Sequence, residues 1–312
     1  MKVAVTFPIP EAAKVLLDEM FECRVWESDV PIPKDTLSLW LAEVQGVLTT
    51  LTCPLSEEAL TGAQNLKVIS TVSVGVDHID IDFAKRQGIA IGHTPGVLTD
   101  STADLAVGLM LAVGRRMAEG DALVRAGAWS DGWKPNLLLG TDLSGSTVGL
   151  IGMGPIGQAV AKRLKGFGCH VLAWNRTPRK VTGVEFTDLE TLLSNADIVS
   201  LHTALTDDTR GMISRERLGL MKDQAMLINT ARGGIVDEMA LVEALATGRL
   251  RAGLDVYAEE PLPLDSVFRS LPGCVLLPHV GSATDRTRRA MFELALANLV
   301  AGMQDEPLPA AL

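Results

Sequence analysis

Residues Val148 to Gly157 read Val-Gly-Leu-Ile-Gly-Met-Gly-Pro-Ile-Gly, a short apolar run that feeds a G-x-G-x-x-G turn. That spacing suits a pyrophosphate. Gly152 permits the tight turn, Gly154 lets a phosphate approach the backbone, and Gly157 lets a helix opening at Pro155 and Ile156 pack against the strand. The free N–H groups and positive dipole end of such a helix would face the phosphates. A second apolar run, His170 to Trp174, follows at strand length. Strand, glycine turn, helix and strand in this order predict a dinucleotide site.

The residues after the second strand bear on which dinucleotide. An Asp or Glu about 20 residues past the motif marks NAD sites, where it accepts hydrogen bonds from the adenosine ribose. Here the strand ends Trp174-Asn175-Arg176-Thr177-Pro178-Arg179-Lys180, without a carboxylate. A 2′-phosphate is repelled by a carboxylate and attracted by a guanidinium that can grip it with two N–H groups. Asn175, Arg176, Thr177 and Arg179 therefore favour NADP, preferentially NADPH, with NAD as the alternative.

The elements that must position these residues alternate along the whole chain. Strands are predicted at Val3–Thr6, Gly46–Thr49, Val68–Val72, Ile89–Ile91, Thr147–Ile151, His170–Trp174, Ile198–Leu201, Ala225–Asn229, Leu250–Leu254 and Val275–Leu277. Helices are predicted near Glu11–Met20, Glu57–Ala63 and Asp80–Gln87, then as one long stretch from Ser101 to about Gly127 capped by Thr99 or Ser101, and finally at Thr284–Met303. Alternation at this spacing means α/β architecture with doubly wound parallel sheets. The glycine turn lies mid-chain, so an earlier α/β unit precedes it, and Trp129 to Leu143 reads as loop.

Composition sets outer bounds. With 47% hydrophobic and 21% charged residues, the 312-residue chain is a globular one with room for two domains. A net charge of −10 argues against nucleic acid or an anionic membrane as partner. Four dispersed cysteines without a Cys-x-x-Cys pair indicate neither a metal site nor a disulfide framework, so a reducing, cytoplasmic location is expected. No run reaches membrane-spanning length.

Six ordered motifs then add a resemblance. These are Ser73-Val74-Gly75-Val76-Asp77-His78-Ile79-Asp80; Thr94-Pro95-Gly96-Val97-Leu98-Thr99-Asp100 with Ala103-Asp104; the glycine turn; Ile228-Asn229-Thr230-Ala231-Arg232-Gly233; Gly253-Leu254-Asp255-Val256-Tyr257 with Glu259-Glu260-Pro261; and Pro278-His279-Val280-Gly281-Ser282-Ala283-Thr284. Over essentially its whole length the chain resembles the D-isomer-specific 2-hydroxyacid dehydrogenases, and within them the glyoxylate/hydroxypyruvate reductases. The resemblance implies a flavodoxin-like substrate domain from residues 1–100 plus 285–312, a Rossmann nucleotide domain from 101–284, and an active site in the cleft.

It also implies roles. His279 matches the family's catalytic histidine, an imidazole able to protonate a developing alkoxide. Glu260, the Glu directly before the proline, matches the carboxylate that orients this histidine and keeps it protonated. Arg232 matches the substrate arginine, whose fork can hold a carboxylate and polarise a carbonyl. Asp255 matches the aspartate that meets the nicotinamide carboxamide, while Thr203, Thr230 and Ala231 line the cofactor groove. The N–H groups of Val74 and Gly75 complete the carboxylate grip, and Leu51 shapes the pocket around the substrate's side group. Among the other histidines, His78 reads as a capping residue at a helix start, and His93 and His202 end strands.

The expected activity is NADPH-dependent reduction of small 2-keto acids, glyoxylate and hydroxypyruvate, by a homodimer. The alternatives are another D-2-hydroxyacid dehydrogenase using NAD, and a nucleotide-sensing, corepressor-like binding protein.

Overall fold

A computed structural model describes residues 1–177 and 179–312, apart from the Ala12 side chain. Pro178, within the predicted cofactor loop, lies outside the described residues. The chain divides into two compact units, Met1–Leu98 with Thr284–Leu312, and Thr99–Ala283. Each is an α/β layer structure around one parallel sheet, as the alternating pattern requires.

In the first unit the strands are β1 (Lys2–Val5), β2 (Glu22–Val25), β3 (Gly46–Thr49), β4 (Val68–Thr71) and β5 (Ala90–Gly92). They pair in the order β2-β1-β3-β4-β5, all parallel. This is the flavodoxin-like order. The three central strands are almost wholly apolar or small and buried on both faces, which is what a doubly covered parallel sheet demands. Helices α1 (Glu11–Met20), α2 (Lys34–Glu43), α3 (Glu57–Leu60) and α4 (Ile81–Arg86) connect them. Edge strand β2 is half exposed, so its apolar signal is weak and the sequence pattern passed over it. The C-terminal helix α11 (Asp285–Met303), capped by Thr284, returns to this unit. It packs so closely on the sheet that a Cβ at Gly302 would meet Val68 at 2.6 Å.

The second unit opens with α5 (Thr99–Gly114) and α6 (Met117–Arg125). The single helix expected from Ser101 to Gly127 is thus two. The break has a physical cause: the Gly114 carbonyl accepts the Thr141 N–H at 2.8 Å, so a returning loop takes the acceptor that would continue the helix. Arg116 then adopts a left-handed conformation with φ 51°. Because α5 begins at Thr99, neither Thr99 nor Ser101 occupies the expected capping position.

Seven strands follow: β6 (Thr147–Ile151), β7 (His170–Trp174), β8 (Glu185–Phe186), β9 (Ile198–Leu201), β10 (Met226–Asn229), β11 (Arg251–Leu254) and β12 (Cys274–Leu276). Their order is β12-β11-β10-β9-β6-β7-β8. Counted from β6 this is 3-2-1-4-5-6-7, the dinucleotide-binding order extended by one strand, which puts the switch point between β6 and β9. Helices α7 (Pro155–Gly166), α8 (Leu189–Asn195), α9 (Arg215–Leu220) and α10 (Glu238–Ala246) cover the faces. Among the described residues no helix is long and apolar enough to cross a membrane.

Candidate active site

The three glycines between β6 and α7 meet three separate demands. Gly152 sits at φ 99°, and a Cβ there would lie 2.5 Å from the His202 carbonyl oxygen. At Gly157 a Cβ would collide with the Gly152 carbonyl, so the helix could not approach the turn. At Gly154 a Cβ would meet no described atom within 4 Å, which leaves the backbone open on the side where a phosphate must come. Gly154 is also the N-cap of α7 without a side-chain acceptor, and Pro155 follows it at the first helical position. The turn fits a pyrophosphate on each count.

Asn175 braces the glycine turn. Its Oδ1 accepts the Met153 N–H at 2.9 Å and its Nδ2 donates to the Thr177 carbonyl at 2.7 Å. The side chain thereby ties the glycine turn to the loop after β7. Arg176 is exposed, with Nη1 3.5 Å from Asp208 Oδ2. Asp208 is a counter-charge that the sequence does not reveal, since it lies 32 residues further along. Thr177 and Arg179 are exposed in the same loop, and Thr203 is half-buried after β9.

The ends of β9 and β10 carry further polar groups. Thr230 Oγ1 and both ring nitrogens of His202 are buried without a hydrogen-bond partner among the described residues. Burial pushes the His202 ring down to about pKa 4, so it is neutral at pH 7. Since Leu201 pairs with Asn229, His202 and Thr230 are the next residues along adjacent strands, β9 being a switch-point strand. Buried Asn229 shapes the following turn. Its Oδ1 accepts the Ala231 N–H at 3.0 Å, and its Nδ2 donates to the Arg232 carbonyl at 2.9 Å. Arg232 Nη1 in turn donates to the Ala231 carbonyl.

The residues expected to transfer the proton converge from separate loops. His279 Nδ1 donates to Glu260 Oε2 at 2.7 Å, and each side chain is 26% exposed. Burial alone would raise the Glu260 carboxyl. The His279 hydrogen bond, the Tyr257 N–H at 2.9 Å on Oε1 and the charges of His279 and Arg232 outweigh it and hold the group below its ordinary range. The charge of Arg232 is the smallest of these influences.

His279 itself has φ 54°, a conformation a side chain disfavours. Asp255, just after β11, holds it there. The Asp255 carbonyl accepts the His279 N–H at 2.8 Å, and its Oδ1 and Oδ2 accept the Val280 and Gly281 N–H groups at 2.7 and 2.8 Å. Successive N–H groups beside a left-handed residue form a nest for an anion. Here the anion is the side chain of a residue that is 1% exposed. Burial raises the Asp255 carboxyl, against the opposing pull of those N–H groups and His279.

Leu51, Val74 and Gly75 belong to the first unit, where hydrogen bonds brace the loop after β4. Ser73 Oγ donates to the Gly75 carbonyl at 2.7 Å, Thr71 Oγ1 bonds Ser73 Oγ and His78 Nε2, and His93 Nδ1 bonds the Val74 carbonyl. His78 therefore props this loop and is not a helix cap. That place is taken by Asp80, which accepts the Phe83 N–H.

Residues 107–281 match the family model described as D-isomer specific 2-hydroxyacid dehydrogenase, NAD binding domain. The chain is 44% identical to a glyoxylate reductase of Thermococcus litoralis, covering 99% of this chain and 95% of that protein. It is also 44% identical to the glyoxylate reductase/hydroxypyruvate reductase of Homo sapiens, over 100% of this chain and 98% of that one. A solved structure of an NADPH-dependent glyoxylate/hydroxypyruvate reductase from Sinorhizobium meliloti, in complex with NADP and malonate, superposes with a TM-score of 0.90. It shares 32% identity, covering 100% of this chain and 96% of that one. The chain belongs to the D-isomer-specific 2-hydroxyacid dehydrogenase family and is an NAD(P)-dependent oxidoreductase.

Proposed function

We propose that this enzyme reduces glyoxylate and hydroxypyruvate to their 2-hydroxy acids, with NADPH as the preferred reductant and His279 as the general acid. The observation that carries the reading is the 2.7 Å contact between His279 Nδ1 and Glu260 Oε2, with Arg232 in electrostatic reach. The reduced nicotinamide, when bound, supplies the hydride to the carbonyl carbon.

The chain's own residues account for the rest. With Nδ1 committed to Glu260, Nε2 is the atom that gives its proton to the carbonyl oxygen. The ionised Glu260 accepts the Nδ1–H and so fixes the plane of the ring. Arg232 neutralises the substrate carboxylate and polarises the carbonyl. Asp255 fixes the loop that carries His279, and accepts from the nicotinamide carboxamide in the same reading. Gly152, Gly154, Pro155, Ile156 and Gly157 hold the pyrophosphate, Asn175, Arg176, Thr177 and Arg179 the 2′-phosphate end, and Thr203, Thr230 and Ala231 the groove. The N–H groups of Val74 and Gly75 bind the substrate carboxylate, and Leu51 limits its side group.

The names of the relatives support the choice of keto acid, and the lack of a carboxylate at Asn175-Arg176-Thr177 supports NADPH. A homodimer is part of the proposal. Exposed Trp133, Leu139 and Val124, at 82, 66 and 58%, leave an apolar surface on α6 and the loop that follows it. Four free cysteines fit a cytoplasmic enzyme.

The test is a panel of 2-keto acids offered with NADPH or NADH, followed by loss of reduced-cofactor absorbance. Glyoxylate and hydroxypyruvate are expected to be turned over fastest, and His279→Ala to lower kcat severely while NADPH still binds. Oxidation with no panel member would favour the nucleotide-sensing reading instead. Loss of NADPH affinity in His279→Ala would show the histidine to be misassigned.

A further inference from the structure

A second carboxylate grips the loop that carries Glu260. Glu238 opens α10 directly after the N-cap Asp237, whose own side chain accepts the Ala240 N–H. A carboxylate in a first helical turn ordinarily serves the helix it opens. Glu238 instead crosses to a residue 20 positions on, and its Oε1 accepts the Ala258 N–H at 2.6 Å.

That N–H belongs to the turn from Tyr257 to Glu260. The Tyr257 N–H ends on Glu260 Oε1 and the Ala258 N–H on Glu238, so the turn's first two donors each meet a carboxylate. Glu260 has its other oxygen left for His279. The backbone before α10 is pressed onto the same turn, because a Cβ at Gly233 would overlap Tyr257 and Ala258. Burial raises the Glu238 carboxyl, the Ala258 N–H opposes that, and the charge of Glu260 raises it again, so the two acids feel one another. An apolar residue at 238 would avoid this repulsion but would leave the Ala258 N–H without its acceptor.

We propose that Glu238 is a positioning residue for the reaction: by accepting the Ala258 N–H it holds the turn from which Glu260 is aimed at His279. This rests on the roles given above to Glu260 and His279.

Three variants separate the alternatives. Glu238→Gln keeps an acceptor oxygen at the same reach, Glu238→Ala removes it, and Glu238→Asp stops one methylene short. The full-length enzyme is assayed at saturating NADPH with the keto acid it turns over fastest, and NADPH affinity is read from its fluorescence in the same preparations. The Ala and Asp variants are expected to lose about tenfold in kcat, the equivalent of one hydrogen bond. NADPH affinity is expected to stay at the parent level, and Glu238→Gln to recover most of the rate. Parent-like kcat in Glu238→Ala overturns the proposal, and so does a Gln variant as slow as the Ala variant. If Glu238→Ala does not fold, the comparison of Gln with Asp decides between the same outcomes. His279→Ala is run alongside. Full activity there overturns the reading of the site itself, whereas an inactive His279→Ala beside a fully active Glu238→Ala overturns only the role of Glu238.

Discussion

Asp255 and His279 are joined through backbone: the carbonyl of Asp255 accepts the His279 N–H, and its carboxylate takes up the N–H groups of the two residues that follow. The positive φ of His279 is thereby offset by three hydrogen bonds to a single residue. In Asp255→Asn the amide presents an NH2 group to one of those N–H donors, which loses its acceptor. Unfolding free energy should fall by about 1–3 kcal/mol, the cost of an orphaned buried donor. At saturating cofactor kcat should also fall, because the imidazole is no longer held in one orientation. Urea melts and steady-state rates check both. An unchanged kcat would show that the loop keeps its shape without the clamp.

Arg176 faces Asp208 on the surface, and magnitudes decide what a 2′-phosphate would meet. An exposed ion pair contributes about 0–1 kcal/mol, whereas a hydrogen bond to a charged group contributes about 1.5–3 kcal/mol. In the proposed reading a 2′-phosphate would therefore compete with Asp208 for the guanidinium. Arg176→Ala should weaken NADPH by roughly 1.5–3 kcal/mol and leave NADH nearly unchanged. Equal use of the two cofactors by the parent enzyme would remove the basis for this expectation.

His202 makes a prediction about acid. Its ring is neutral in the fold and titrates near 4, against 6.5 for the ordinary group. Stability from keeping it neutral is full above pH 6.5. It declines as the pH falls towards 4, because the unfolded chain binds a proton that the folded one refuses. The whole decline amounts to about 3 kcal/mol at roughly 1.4 kcal/mol per pH unit. His202→Gln should flatten the pH dependence of stability across that window by up to one proton. Denaturant melts of the two proteins at about pH 7, 5.5 and 4.5 test this, and parallel curves would show that the ring does not carry the effect.

Local demands were legible in the sequence and distant ones were not. The positive φ of Gly152 and the contact of Gly157 with the Gly152 carbonyl are set within the turn itself, so there the spacing sufficed. The buried strands at 46–49, 147–151, 170–174 and 198–201 carry nearly continuous apolar runs and were found at their observed bounds. Helix α5 could not be ended from sequence, because Thr141 supplies the competing donor from 27 residues away and no proline marks the place. Asp80, and not His78, caps α4, a choice that the Asp-His-Ile-Asp run leaves open. Glu238 was missed for the same reason as Asp208: each acts on a partner brought close only by the fold. The contact of His279 with Glu260 needed the family resemblance, since 19 residues and a loop separate them.

With only hydrogen at Gly233, the peptide following Arg232 lies flush on the Tyr257–Ala258 peptide. The backbone that carries Arg232 and the turn that carries Glu260 are therefore packed peptide against peptide. A methyl group inserted there would act as a spacer, and in the proposed roles of Arg232 and Glu260 it would disturb carbonyl polarisation and proton delivery together.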